Sequence, residues 1–128
     1  MDYFSSLRLN SRNIIPTDEI IFLKSDINYT DVHTLDNRKH TSSFTLKVLE
    51  KRITDTNLIR INKGLIINRL YIKEINSESK EAFVKMISGQ LLPISRRKYK
   101  LISGSLTHWL VVDYIFIEPF FKLITWKK

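Results

Sequence analysis

The segment Pro93–Lys100 carries four cations in eight residues, and these side chains are the ones in the chain best suited to bind an anion: Arg96, Arg97, Lys98 and Lys100. Ser95 precedes them and can cap a short helix, because its hydroxyl can accept hydrogen bonds from the unpaired amides at a helix start. A guanidinium presents a planar set of donors that fits phosphate, or O6 and N7 of guanine. The segment therefore predicts a surface for a polyanion.

The positive charge of the chain is regional. Lys and Arg number 21 against 13 Asp and Glu, which gives a net charge of +8 and a pI near 9.8. Residues 1–58 hold eight basic and eight acidic side chains, whereas residues 59–103 hold ten basic and three acidic ones. Such an excess favours nucleic acid or an anionic membrane surface. A solvated basic face without a partner is the alternative.

Residues for catalysis or for metal binding are not grouped in this sequence. It has no cysteine, which excludes thiolate sites and fits a cytoplasmic protein, and its start has no long apolar run like that of a signal peptide. His33, His40 and His108 lie too far apart in the sequence to show the spacing of metal ligands. We interpret Asp18 and Glu19 as a strand entry, where adjacent side chains face opposite ways and cannot act as a carboxylate pair. We therefore expect no enzyme, no metal and no cofactor.

Short runs of β-branched and aromatic residues, separated by Asn, Asp and Ser, predict a mainly β protein. The predicted strands are Leu7–Leu9, Glu19–Leu23, Thr30–Leu35, Lys39–Phe44, Leu58–Asn62, Leu65–Asn68, Ile72–Asn76, Ala82–Met86 and Leu91–Ile94.

Turn and cap residues divide these predicted strands. Asp36-Asn37 and Gly89-Gln90 are typical of tight turns. Helical spacing predicts one helix over Ser43–Arg52, capped by Ser43 or Thr45, and a second over Arg96–Ile102. Asn68 follows three aliphatic residues, so we interpret it as a structural side chain that bonds to backbone.

With these elements in order, residues 5–103 resemble the LytTR DNA-binding domain of bacterial transcriptional regulators. The motifs that carry the resemblance are Thr17–Leu23, Asn28-Tyr29, Leu46–Glu50, Leu58–Asn68, Ile72–Ile75 and Leu92–Arg97. The resemblance implies an elongated stack of small antiparallel sheets with one or two short helices. It also implies a sequence-specific double-stranded DNA-binding protein that regulates transcription and whose loops enter successive major grooves.

The resemblance assigns base reading to Asn28 or Tyr29, to Lys63 and to Arg96. Basic or polar residues around them would hold phosphates: Lys47, Arg60, Asn62, Gly64, Ser95, Arg97, Lys98 and Lys100. The sequence departs from the family pattern where Asn62 replaces a frequent histidine and Gly64 replaces a serine. A phosphate contact at Gly64 would have to come from its backbone amide.

The resemblance does not extend to residues 104–128, which contain six of the 14 aromatic residues. We expect residues 1–103 to form the DNA-binding domain. The extension would dock on it, contact a second copy or another protein, or associate with a membrane surface. Because Met1 lies almost directly on the first strand, we expect no receiver domain and no control by phosphorylation in cis. Family members commonly bind paired repeat sites, so two copies on one DNA are expected.

Two other functions remain open at this stage. One is a β module that binds single-stranded nucleic acid on exposed aromatic residues, for which only Tyr71, Phe83 and Tyr99 lie near the basic stretch. The other is a membrane-tethered or protein-tethered regulator that acts through residues 104–128.

Overall fold

The computed structural model describes residues 5–78 and 81–100, and it divides the chain into two compact units, Met1–Leu70 and Tyr71–Lys128. In the described part, the protein is mainly β, with three antiparallel sheets, two short α-helical segments and two 3₁₀ turns, the second of them at Arg69–Tyr71. This architecture confirms the mainly β fold of small antiparallel sheets with short helices that was expected from the sequence. The predicted end of the second helix and the extension 104–128 lie outside the described residues.

The first unit opens with a two-stranded sheet of β1 (Ser6–Arg8) and β2 (Ile14–Pro16). A 3₁₀ turn at Thr17–Glu19 follows. The prediction that Asp18 and Glu19 form a strand entry was therefore wrong. Pro16 has no backbone amide for a ladder hydrogen bond and its extended backbone leads directly into the turn, so regular pairing resumes only at Ile20.

A five-stranded sheet forms the body of this unit, in the order β5-β4-β3-β7-β6. Its strands are β3 (Ile20–Asp26), β4 (Tyr29–Thr34), β5 (Lys39–Ser42), β6 (Leu58–Asn62) and β7 (Leu65–Asn68). The central strand β3 is buried over its first four residues and more exposed over its last three. The core therefore lies toward the start of β3, and its far end reaches solvent.

Helix α1 (Leu46–Arg52) crosses between β5 and β6 and begins where the sequence predicts a cap. The Thr45 hydroxyl accepts a hydrogen bond from the Val48 amide at 3.4 Å. Leu46 and Leu49 are buried in the same cluster as Leu23, and each such side chain contributes about 1.5–3 kcal/mol on burial. Packing of this apolar stripe fixes the helix on the sheet.

The second unit contains a three-stranded sheet in the order β10-β9-β8. Its strands are β8 (Ile72–Glu78), β9 (Glu81–Met86) and β10 (Leu91–Ile94). The turn before β10 contains Gly89 at a φ of 98°, a left-handed conformation that glycine adopts without strain. Residues 96–100 form a short helix. Within the described residues, no helix is long and apolar enough to cross a membrane.

Candidate nucleic-acid interface

Two hairpin turns lie at the same end of the five-stranded sheet. Asp26 pairs with Tyr29 across the first, which leaves Ile27 and Asn28 as its two central residues. In the second, Asn62 pairs with Leu65, so Lys63 and Gly64 are the central residues.

The pairing of β3 with β7 brings these two turns side by side. Lys24 lies opposite Leu65, and the Ser25 amide donates a hydrogen bond to the Gly64 carbonyl at 2.9 Å. Ser25 is two residues before the first turn, a distance of about 7 Å along an extended strand. The sheet therefore positions three of the predicted base-reading residues, Asn28, Tyr29 and Lys63, at one end.

These predicted readers are accessible to a partner. Asn28 and Lys63 are exposed, and Tyr29 retains 53% of its accessible surface. The start of helix α1 lies at this end as well, because the Thr30 hydroxyl donates a hydrogen bond to the Phe44 carbonyl at 2.9 Å. Lys47, predicted to contact phosphate, lies in the first turn of α1 and is exposed.

Asn62 and Gly64 have internal hydrogen bonds within their own turn. The Asn62 side-chain oxygen accepts from the Gly64 amide at 2.7 Å, the amide that the sequence suggested for a phosphate. A Cβ on Gly64 would lie 3.2 Å from the Ser25 hydroxyl oxygen, so the close approach of β3 explains the glycine. These two residues therefore define the shape of the turn that carries Lys63.

Arg60 also bonds within the protein. Its Nε donates to the Asn62 carbonyl at 2.9 Å, one terminal nitrogen donates to the Lys63 carbonyl, and the other forms an ion pair with Glu50. A shift in strand register between Arg60 and Asn62 precedes the turn, and such bulges often redirect side chains near functional sites. All three guanidinium nitrogens thus have protein acceptors.

The remaining candidates lie in the second unit, around the start of its helical segment. The Ser95 hydroxyl accepts from the Lys98 amide at 3.2 Å, which confirms Ser95 as the predicted cap. Arg96 and Arg97 are exposed, as is Lys100, whereas Lys98 is partly buried. Arg96 and Lys100 are four residues apart and so share one helical face.

Asn68 has the structural role predicted for it. Its side chain is fully buried, its amide nitrogen donates to the Ile20 carbonyl at 2.9 Å, and its oxygen accepts from the Leu70 amide at 3.0 Å. Tyr71, Phe83 and Tyr99 are partly buried, which limits the ring surface that they present for the base stacking of single-strand binding. Within the described residues, no group of three or more His, Cys, Asp or Glu side chains could hold a metal ion.

With this geometry established, comparison with known proteins identifies the domain. The family model for the LytTr DNA-binding domain matches residues 10–107. The chain belongs to the LytTR family. It is therefore a DNA-binding domain of that family, and the resemblance inferred from the sequence motifs is confirmed.

Two curated proteins are similar to a large part of the chain. The chain is 33% identical over 84 residues to the sensory transduction protein LytT of Bacillus subtilis, covering 65% of this chain and 34% of that protein. It is 34% identical over 102 residues to a response regulatory protein of Vibrio cholerae, covering 78% of this chain and 41% of the relative. The chain thus spans well under half the length of these curated relatives.

A solved structure with the same fold is also known. The LytTr DNA-binding domain of a methyl-accepting/DNA response regulator from Bacillus cereus superposes with a TM-score of 0.65 at 19% identity. The match covers 81% of this chain and 96% of that domain. At this identity the likeness establishes the fold alone.

Proposed function

We propose that the protein is a sequence-specific regulator of transcription that binds double-stranded DNA through loops in successive major grooves. The observation that supports this most is the pair of adjacent two-residue turns, joined by the Ser25–Gly64 backbone hydrogen bond, at the exposed end of the first unit's sheet. Two neighbouring turns offer polar side chains to base edges without requiring a recognition helix. Arg96 at the start of the second unit's helical segment supplies a further contact.

The proposed contacts divide by chemistry. Arg96 can donate two hydrogen bonds to O6 and N7 of guanine, an interaction worth about 1–3 kcal/mol in discrimination, and Lys63 can reach the same acceptors. Asn28 or Tyr29 reads a neighbouring base. Phosphates would be held by the surrounding basic residues, Lys47, Arg97, Lys98 and Lys100, with support from the amides near Ser95.

Arg60, Asn62 and Gly64 are better explained as the residues that shape the Lys63 turn than as phosphate ligands. The Arg60 guanidinium and the Gly64 amide already donate hydrogen bonds inside the protein, and the Asn62 side-chain oxygen accepts the one from Gly64. A phosphate would have to compete with a charge-assisted hydrogen bond at Arg60 and with a 2.7 Å bond at the Gly64 amide. We therefore assign them an indirect contribution to DNA binding.

The relatives' names suggest a role in signal response. We propose that this chain acts on DNA in the cytoplasm. Two copies on paired repeat sites would fit the family. Residues 104–128 remain proposed as a segment that docks on the domain or contacts a second copy, another protein or a membrane.

Selection of bound duplexes from a random pool, followed by titration of variants, tests the proposal. Arg96→Ala and Lys63→Ala should weaken binding to the selected duplex far more than to random duplex. Lys98→Ala should weaken both alike and lower the slope of log K against log salt by about one unit.

Matched controls lie at the opposite end of the same sheet. Arg38 and Lys39 are exposed, and Lys39 pairs with His33 near the far end of β4. Arg38→Ala and Lys39→Ala should change specific binding little. Failure to select any duplex, or equal losses on both DNAs for Arg96→Ala and Lys63→Ala, would contradict the assignment of base reading.

A further inference from the structure

Ile27 is an apolar residue at the very tip of a hairpin. It retains 90% of its accessible surface, whereas the other exposed large apolar residues within 5–78 and 81–100 range from 37% to 62%. A fully exposed isoleucine gains nothing from the hydrophobic core, so its contribution to folding does not explain its presence.

The backbone at Ile27 is strained as well. Its φ is 58°, in the left-handed region that β-branched residues avoid because Cβ crowds the backbone. The following residue, Asn28, has no positive φ, and hairpin turns with a positive φ at only the first central position strongly favour glycine there. Strain of this kind concentrates at functional sites.

The location of Ile27 indicates what its side chain could contact. It precedes Asn28 in the turn that lies beside the Lys63–Gly64 turn, at the exposed end of the sheet. The major groove offers one apolar group on a base edge, the 5-methyl group of thymine, and aliphatic side chains contact it there.

We propose that Ile27 is a specificity-determining residue that contacts a thymine methyl group next to the base read by Asn28 or Tyr29. The inference rests on the proposed DNA-reading function of the two turns. The apolar surface of Ile27 is removed from water only when the turn enters the major groove. The contact with the thymine methyl group therefore exists only in the DNA complex. Neighbouring polar readers set the register and Ile27 adds a preference for thymine.

The test replaces single thymines of the selected duplex by deoxyuridine, which removes only the methyl group and keeps base pairing. With the wild-type chain, one position should lose about fourfold in affinity, the value expected for one buried methylene-sized group. Ile27→Gly should lose a similar factor on the thymine duplex and show no further loss with deoxyuridine at that position. This coupling is the signature of a direct contact.

Two controls show whether a loss of affinity comes from a change in the fold. One is the thermal stability of Ile27→Gly, and the other is a glycine variant at a second exposed apolar residue. Ile27→Gly should melt at the same or a higher temperature, because glycine accepts the left-handed conformation. Leu35, which is 44% exposed in the hairpin loop after β4, provides the control variant Leu35→Gly. That variant should preserve the deoxyuridine penalty.

Failure of the inference differs from failure of the proposed function. If Lys63→Ala and Arg96→Ala abolish selectivity but the deoxyuridine penalties of wild type and Ile27→Gly are equal at every position, the Ile27 contact is wrong and DNA reading stands. A selected site without such a thymine overturns the contact in the same way. If no duplex is selected, both proposals fail.

Discussion

Arg60 of β6 forms an ion pair with Glu50 of helix α1 and donates hydrogen bonds to the carbonyl oxygens of Asn62 and Lys63. The Arg60 guanidinium thus connects helix α1 to Asn62 and Lys63, the residue before the second turn and the first residue within it. The Arg60 side chain is 22% exposed and that of Glu50 is 46% exposed, so solvent weakens the pair only in part. The backbone that carries Lys63 is held by a side chain three residues earlier.

We expect Arg60→Lys to reduce binding to the selected duplex several-fold while leaving the salt dependence unchanged. Lysine keeps the charge but cannot bridge three acceptors with a planar fork, so the Lys63 turn would lose its restraint. Titration at several salt concentrations gives both quantities. A lowered salt slope in Arg60→Ala, by about one unit, would instead show that Arg60 contacts a phosphate.

Glu50→Gln provides the companion variant, because it removes the ion pair without touching Arg60. Glu50→Gln should weaken binding to the selected duplex as Arg60→Lys does. This loss is expected even though the variant gains one net positive charge, which by itself would strengthen DNA binding. Glu19→Gln removes one acidic charge at the opposite end of the sheet and serves as the control, with binding unchanged or slightly tighter. Equal behaviour of the two Glu variants would mean that the pair has no positioning role.

Gly64 and Ser25 should show coupled stabilities. A Cβ at position 64 would lie 3.2 Å from the Ser25 hydroxyl oxygen, which is tight contact, so Gly64→Ala alone should destabilise the fold by about 1 kcal/mol. With Ser25→Ala the hydroxyl is gone, and Gly64→Ala should then stabilise by about 0.4–1 kcal/mol, because alanine restricts the unfolded chain. Urea denaturation of the four proteins measures this coupling, and additive effects would contradict it.

Local patterns were sufficient to predict most strands, because runs such as Leu58–Asn62 and Leu65–Asn68 alternate with turn residues over short distances. Strand β2 was missed because Ile-Ile-Pro is only three residues long and ends in a proline. The adjacency of β3 and β7 joins segments about 40 residues apart. No local pattern specifies that register, so the sequence could name Asn28 and Lys63 but could not bring their turns together.

The roles proposed for Arg60 and Ile27 could not be inferred from the sequence for a related reason. A lone arginine in a basic region reads as a phosphate ligand, and only the fold places Glu50 and two carbonyl groups around it. In the sequence, Ile27 is an ordinary apolar residue between two predicted strands. Its left-handed φ and its exposure are properties of the folded turn. Asn68 was predictable because a polar residue at the end of an aliphatic run requires internal hydrogen-bond partners when buried.

Asn68→Ala should destabilise the protein by about 1–3 kcal/mol. It removes the bonds to the Ile20 carbonyl and from the Leu70 amide, and it leaves these backbone groups without the partners they have in the native protein. Urea midpoints at constant m value measure the loss. The exposed Asn28→Ala should change stability by less than about 0.5 kcal/mol. Similar midpoints for both variants would be inconsistent with the buried role of Asn68.

His33 should make the fold less stable as the pH falls below about 6.5. Its ring stacks on Phe22 with centroids 4.2 Å apart and planes inclined by 14°. Partial burial lowers the pKa of His33 below the usual 6.5, Asp31 opposes the shift, and Lys39 and Lys24 add to it. The unfolded chain therefore takes up a proton at higher pH than the folded one, and stability falls through that window, down to the lowered pKa.

Urea denaturation at pH 7.5 and pH 5.5 measures this dependence. His33→Phe keeps a ring on Phe22 but cannot be protonated, so it should reduce the difference in unfolding free energy between the two pH values. His40 lies opposite Val32 on the neighbouring strand, and His40→Gln leaves the His33 site intact and should preserve the contribution of His33. If His33→Phe retained the full pH dependence of the wild type, titration of His33 would not be its cause.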